Sequence, residues 1–445
     1  MRVLVVGGGG REHALCWVLR RDLPADQLFC APGNPGTAEL ADNLPVGSED
    51  VERLVDAART HAIELVIIGP EAPLARGLAD RLRSAGLLVC GPTAAAARIE
   101  SSKAFAKEVM AAANIPTATS GTFTDLTAAL AYVDRHAEPL VVKASGLAGG
   151  KGALVCATRD EARRALTGML RDGSFGDAGK TVVVEAFLDG EELSVLAVTN
   201  GHDLVVLPAA QDHKRLRERD AGPNTGGMGA YSPVAVATPE LLGRVERQIL
   251  RPAVDELAKR FTPFTGVLYA GLMVDHAGQP SVIEFNCRLG DPEAQVILPR
   301  VTGGLLEALL ASARAQPLPR LEVSANVAVT TVLASAGYPE EPHRGDVIQI
   351  PENLPPSTIV FHAATQRDEH GVLRTNGGRV LAVTALAPNF RAAQNTSRAA
   401  AEAIEFEGKQ FRRDIGWREA RRLGIPLAGD SGSHRVPRAA KGPGA

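Results

Sequence analysis

The chain has 445 residues, 45% of them apolar and 22% charged, with a formal net charge of −3. That length exceeds what one hydrophobic core normally organises, so about three packed units are expected. The balance excludes intrinsic disorder, and the near-neutral charge gives no bulk-basic footprint for nucleic acid or an anionic membrane surface.

The start, Met1–Val6, is apolar too briefly before Gly7–Gly10 to read as a secretion signal. No apolar run reaches the ~20 residues of a membrane helix. Cys16, Cys30, Cys90, Cys156 and Cys287 are widely spaced with no CxxC pair. Reduced thiols and a cytoplasmic setting are therefore expected.

In the first hundred residues, short apolar runs (Arg2–Val6, Gln27–Cys30, Glu64–Ile68, Leu87–Cys90) alternate with helical patterns (Glu12–Arg21, Val51–His61, Leu74–Ala85). Such alternation predicts right-handed crossovers and a parallel sheet covered on both faces. An Ala-rich helix is expected over Thr93–Ala113. From about 118 to 190 the pattern becomes a compact α+β unit, with strands Leu140–Lys143, Gly152–Cys156 and Thr181–Glu185 and helices Leu126–Arg135 and Asp160–Leu170. Residues 191–325 read as a larger sheet unit, with strands Leu193–Val198, Asp203–Pro208, Leu268–Val274 and Ser281–Phe285 and a long helix Pro239–Arg260. Strands Asn326–Leu333, Ile359–His362 and Arg379–Thr384 and helices Phe390–Glu402 and Ile415–Leu423 follow. The stretch after 424 has no periodicity and reads as a disordered tail.

Three glycine-rich loops follow strands of the first sheet: Gly7–Gly10 with Arg11 and Glu12, Gly33-Asn34, and Gly69-Pro70-Glu71. Loops at the carboxyl ends of parallel strands form the ligand crevice of such sheets. The first is an incomplete dinucleotide fingerprint, since Glu12 stands where a third glycine belongs. A phosphorylated small molecule suits the three loops better than NAD does, with Arg11 as a charge partner. Lys143-Ala-Ser-Gly-Leu-Ala-Gly-Gly-Lys-Gly152 is a second phosphate loop, with backbone N–H donors and two lysines. It is not a Walker A loop, because Gly152 replaces the Ser or Thr. Glu284 and Asn286 alternate onto one strand face and offer two oxygen donors suited to Mg²⁺. Arg288, Asp291 and Glu293 follow directly. His13 and His213 read as residues of charged loops with no nucleophile beside them.

Together these segments resemble the phosphoribosylamine–glycine ligase family of the ATP-grasp superfamily, over residues 1 to about 424. The marks are Gly7–His13, Ala31–Asn34, Gly69–Pro73, Ser102–Phe105, Lys143–Gly152, Glu185–Glu192, Gln211–Arg215, Gly222–Pro233 and Glu284–Glu293. The resemblance implies an α/β ATP-grasp fold with four parts. These are an N-terminal open parallel domain (1–101), a central sheet domain (102–117 and 191–325), a small α+β lid (118–190) and a C-terminal α+β domain (326–424), with a tail at 425–445. It implies ATP contacts at Lys103, Lys143, Gly146, Gly149, Gly150, Lys151 and Gly152. Glu185, Phe187 and Leu188 become the adenine hinge and Glu192 the ribose ligand. Glu284 and Asn286 become ligands of Mg²⁺ or Mn²⁺, and Arg288, Asp212 and Lys214 catalytic groups. Gly8, Gly9, Gly10, Arg11, Glu12, Gly33, Asn34, Pro70, Glu71, Asn224, Gly290 and Asp291 form the substrate set. Ser145, Gly149 and Ala186 depart from the family pattern.

The resemblance further implies that ATP activates glycine as an acyl phosphate, which 5-phosphoribosylamine attacks to form an amide. It implies small-molecule partners only, neither nucleic acid nor membrane, and a monomer or weak dimer. The alternatives are another ATP-grasp ligase or carboxylase component, an NAD-dependent oxidoreductase, and a non-catalytic nucleotide-binding regulator.

Overall fold

The computed structural model describes residues 1–260 and 263–425. The expected tail thus lies, apart from Ile425, outside the described residues. The first sheet is parallel, in the order Asp42–Asn43, Leu28–Pro32, Val3–Gly7, Leu65–Ile68, Leu88–Cys90. Val3–Gly7 and Leu65–Ile68 are buried along their whole length, as expected for strands covered on both faces. Strand order reverses beside Val3–Gly7, so the crevice opens where the three glycine loops leave their strands.

A four-stranded antiparallel sheet, Leu204–Val206, Glu191–Asn200, Thr265–Val274 and Pro280–Asn286, forms the central layer. A second four-stranded sheet, Ser120–Phe123, Val182–Ala186, Leu140–Ala144 and Ala153–Cys156, carries helices Leu126–Arg135 and Arg159–Leu166. It has a hydrophobic core of its own, including Val133, Leu140, Val142, Leu166 and Val184. The other large cores mix residues from the first, central and last segments of the chain. A further sheet runs Gln211–Asp212, Gly229–Ser232, Val327–Ala334, Arg379–Ala387, Thr358–His362, so two strands from before residue 233 complete a C-terminal sheet.

Several elements differ from the sequence reading. The single helix expected over Thr93–Ala113 is two, Ala94–Ser101 and Lys103–Ala112. Ser102 between them is extended (φ −143°, ψ 103°) and its Oγ accepts the Phe105 N–H, while Lys103 N–H donates to the Ser145 carbonyl at 2.8 Å. Local propensity favours one helix, but the bond to Ser145 lies outside it. The helix expected over Leu74–Ala85 is likewise divided, into Glu71–Ala75 and Leu78–Ser84, by Gly77 at φ +81°. Helix Leu305–Ala313 and strand Ser120–Phe123 were not anticipated. His13 sits inside helix Gly10–Leu19 and His213 follows strand Gln211–Asp212; both are buried rather than in charged loops. No described helix is long and apolar enough to cross a membrane, and all five cysteines are unpaired and buried.

Candidate active site

The phosphate-loop hairpin joins Leu140–Ala144 to Ala153–Cys156. Gly149 and Gly150 take φ of +56° and +78°, a turn that L side chains resist. Lys151 is exposed, whereas Gly146 lies against Ala178 and Gly152 is buried. Ser145, one of the departures from the family pattern, is buried, and its Oγ accepts the Ala104 N–H at 3.1 Å. Lys103 Nζ lies 3.4 Å from the Gly146 carbonyl.

Lys143 is buried one residue before the end of its strand. Its ammonium bonds Glu185 Oε2 at 2.7 Å and the Ile283 carbonyl at 3.0 Å. That carbonyl is free because the ladder slips: Glu284 opposes Gly271 but Val282 opposes Leu272, leaving Ile283 as the extra residue. Lys107 holds the other oxygen of Glu185 at 3.0 Å. The Glu185 carboxylate is therefore committed to two lysines. Phe187 is exposed beside it and Leu188 half-buried.

Glu284 and Asn286 leave the central sheet together. Lys214 stands between acids, 2.9 Å from Glu192 and 3.9 Å from Glu284. Burial opposes ionisation of Glu284, but Lys214, Lys143, Lys103 and Arg288 outweigh it and hold its carboxyl below the ordinary value. Burial pushes Asp212 well up, with Glu293, Glu192 and Glu284 adding to the effect against Lys214. Among the described residues no group of three or more acidic, histidine or cysteine side chains is placed to hold a metal. Glu284 and Asn286 offer one anionic and one neutral oxygen at the strand exit, which fits a hard cation that keeps most of its waters. Asn224 lies on a two-stranded ribbon next to Thr225, whose N–H donates to the Lys214 carbonyl at 2.7 Å.

Arg288 joins this cluster to the first sheet. Nε bonds Glu71 Oε2 at 3.2 Å, and Nη2 bonds Glu100 Oε1 at 2.7 Å and Asn286 Oδ1 at 3.4 Å. Beyond it lie the glycine loops. Gly8 faces the Gly33 carbonyl so closely that a Cβ would meet it at 2.6 Å. The Gly9 N–H donates to Glu12 Oε2 at 2.7 Å. Asn34 Nδ2 donates to the carbonyls of Gly8 and His362, and its Oδ1 accepts N–H groups of Gly36 and Thr37. Pro70 precedes the short helix that carries Glu71. Arg11, read from the sequence as a phosphate partner, is buried and pairs with Glu12 at 2.6 Å and the Leu289 carbonyl at 3.1 Å. Glu12 fills the space between Gly7 and Gly69. Arg11, Glu12 and Asn34 therefore hold the loops together.

Gly290 packs against Glu293, and Asp291 sits beside Gly9. Asp291 is bonded by Gln295 Nε2 at 2.7 Å and paired with Arg379 at 3.3 Å. Arg379 also donates to the Gly226 carbonyl at 2.6 Å. Glu100, Lys107, Gln295 and Arg379 escaped the sequence reading. Glu293, noted there in the charge run after the strand, accepts Ser194 Oγ and Tyr269 OH at 3.1 and 3.0 Å.

Residues 1–100, 101–294 and 328–418 match the N, ATP-grasp (A) and C domains of phosphoribosylglycinamide synthetase. The chain belongs to the phosphoribosylglycinamide synthetase family. It is 48% identical over 427 residues to the phosphoribosylamine–glycine ligase of Ralstonia nicotianae, covering 95% of this chain and 100% of that one. It is 46% identical to the same enzyme of Nostoc, covering 94% and 99%. The crystal structure of phosphoribosylamine–glycine ligase from Thermotoga maritima superposes with a TM-score of 0.82 at 34% identity, covering 93% of this chain and all of that one. A biotin carboxylase domain from Hydrogenobacter thermophilus shares the fold at 18% identity, with a TM-score of 0.71 and coverage of 92% and 91%. As a phosphoribosylglycinamide synthetase family member the chain is an ATP-grasp ligase, and its crevice residues fall within the matched N and A domains.

Proposed function

We propose that this enzyme joins glycine to 5-phosphoribosylamine at the expense of ATP, giving glycinamide ribonucleotide, ADP and phosphate. The observation that carries the reading is Arg288. One guanidinium touches Asn286 of the phosphate-facing cluster and Glu71 of the glycine-loop crevice. An acyl phosphate made on one side is thereby presented to an amine held on the other.

Glycine's carboxylate is a poor electrophile at neutral pH. One of its oxygens attacks the γ-phosphorus, the bond to ADP breaks, and glycyl phosphate results. The phosphoribosylamine nitrogen then attacks the carbonyl carbon, and phosphate departs with the bridging oxygen. Lys103, Lys143 and the Gly146–Gly152 backbone bind and orient the ATP phosphates. Lys214 and Arg288 offset charge on the transferred group. Asp212 and Glu192 keep Lys214 aimed into the crevice. Glu284 and Asn286 would hold Mg²⁺ or Mn²⁺, which would supply charge neutralisation to the phosphates. The 118–190 segment, with a core of its own, closes as a lid that excludes water from the acyl phosphate. The remaining division is 1–101, 102–117 with 191–325, and 326–424. The enzyme works in the cytoplasm on small molecules, as a monomer or weak dimer.

ADP release should require glycine and phosphoribosylamine together. With glycine labelled by ¹⁸O in its carboxylate, one label should appear in the released phosphate. ADP release driven by bicarbonate instead would favour the carboxylase alternative and overturn the assignment.

A further inference from the structure

Glu100 lies at the end of helix Ala94–Ser101 and is one of the few buried acids among the described residues, at 8% exposure. Nearly two hundred residues separate it in sequence from the strand exit that it contacts. Its two oxygens divide the work. Oε2 accepts the Cys287 backbone N–H at 2.8 Å and the Cys287 thiol at 3.2 Å. Oε1 takes Arg288 Nη2 at 2.7 Å. The same guanidinium donates through Nη1 to the Leu289 carbonyl at 3.1 Å and through Nε to Glu71. Five N–H donors in a rigid plane are thus mostly assigned, and the plane has little freedom to turn.

The two carboxylate partners of Arg288 differ in kind. Glu71 opens the short helix that follows a crevice loop and is half-buried, so a ligand can compete for the guanidinium. Glu100 is buried and grips the backbone on which both Asn286 and Arg288 ride. A buried acid bonded at once to a main-chain N–H and to the following side chain sets the register of that exit. The helix break at Ser102 permits this arrangement. One helix ends with Glu100 aimed at Cys287, and the next begins with Lys103 aimed at the Gly146 loop. A continuous helix over Thr93–Ala113 would remove the extended residue that separates the two.

We propose that Glu100 is a positioning residue for the ligation reaction: it fixes the Arg288 guanidinium, and with it the exit of the strand carrying Asn286. The inference rests on the role proposed above for Arg288. It predicts that Glu100 acts through Arg288 and not through overall stability. In Glu100→Gln, an amide oxygen that accepts the Cys287 N–H turns its NH₂ against the guanidinium. Its other orientation sets NH₂ against the Cys287 N–H. The first orientation repels Arg288 directly; the second keeps its bond but pushes away the Cys287 backbone on which it rides.

The experiment measures kcat and KM for ATP, glycine and phosphoribosylamine in wild type, Glu100→Gln, Glu100→Asp, Arg288→Ala and the two double variants. Thermal midpoints are recorded alongside. Glu100→Gln should lower kcat about 10- to 100-fold, the range expected for an ångström-scale misplacement of a reacting-site group. KM for ATP should stay within about twofold, because the phosphate loop and its lysines are untouched. In the Arg288→Ala background, the same substitution should change kcat less than about twofold, since nothing remains to be positioned. Glu100→Asp keeps the charge and withdraws it by one methylene. It supplies the comparison if Glu100→Gln fails to fold, with a smaller loss of kcat that also vanishes without Arg288. A Glu100 effect of equal size with and without Arg288 overturns the inference while leaving the Arg288 reading intact. Wild-type kcat in folded Glu100→Asp and Glu100→Gln overturns it as well. Wild-type kcat in Arg288→Ala removes both.

Discussion

His213 carries the clearest test of how burial controls stability in this molecule. Its Nε2 accepts the Gly416 N–H at 2.9 Å, and Nδ1 is buried with no hydrogen-bond partner among the described residues. Protonation would set a second N–H against that of Gly416. Burial, and then the facing Arg412, lower its pKa from 6.5 to about 3, with Arg418 adding and Asp220 and Asp414 opposing. Because the folded value lies below the unfolded one, the unfolded chain takes up the proton first. Stability from this site is complete above about pH 6.5 and falls as pH drops toward 3. Between pH 7 and pH 5 the unfolded imidazole goes from mostly neutral to almost fully charged, while the folded one stays neutral. That difference is worth about 2 kcal/mol, at 1.36 kcal/mol for each pH unit. His213→Gln retains an oxygen to accept the Gly416 N–H and removes the titration. Urea unfolding at the two pH values should find the variant less stable than wild type at pH 7. The gap should shrink, or reverse, by about 2 kcal/mol at pH 5. A gap that stays constant would show that His213 binds its proton equally in both states, and the burial argument would fail. His13 and His362, lowered by burial to about 3 and about 4, should steepen the same acid limb.

Three further outcomes follow from the geometry. Glu284→Gln keeps the shape of the strand exit and removes one negative charge, so turnover should fall about 10²–10³-fold with an unchanged thermal midpoint; wild-type turnover in the folded variant would sink the metal assignment. Arg412 is fully buried, with Asp414 at 2.8 and 2.9 Å and Asp220 at 2.8 Å. Arg412→Ala leaves the buried Asp414 unpaired and should cost about 3–5 kcal/mol in urea unfolding, and a loss under 1 kcal/mol would show the carboxylate rehydrated. Proteolysis in the exposed Leu147–Lys151 turn should slow when ATP and Mg²⁺ are added, and equal cleavage rates would argue against closure of the lid.

What could be read from the chain alone follows the range over which each feature is encoded. The phosphate loop and the three crevice loops were legible because glycine is needed where backbone comes close, as at Gly8 against the Gly33 carbonyl, and that demand is written in the residue itself. That Glu284 and Asn286 leave one strand together was legible because strand alternation is local. The bulge at Ile283 was not, since it depends on register against Thr265–Val274, yet it frees the carbonyl that anchors Lys143. The same limit explains the misread helix. Ala-rich sequence from 94 to 113 argues for continuity, and the bonds from Lys103 N–H and Ala104 N–H to distant Ser145 oppose it. Arg11 was read as a ligand for phosphate because a charge next to a glycine loop suggests one. It is buried and paired with its neighbour Glu12 and with the Leu289 carbonyl, which lies 278 positions away. Glu100, Gln295 and Arg379 have the same character: each is an ordinary residue in its local sequence and acquires meaning only from a partner in another segment. Loops in which backbones approach closely are therefore visible in sequence, whereas side chains that aim other side chains are not. Arg288 stands at the boundary between these classes. Its place after Asn286 marked it as a candidate, but its orientation is set by Glu100 and Glu71, neither of which lies within 180 residues of it.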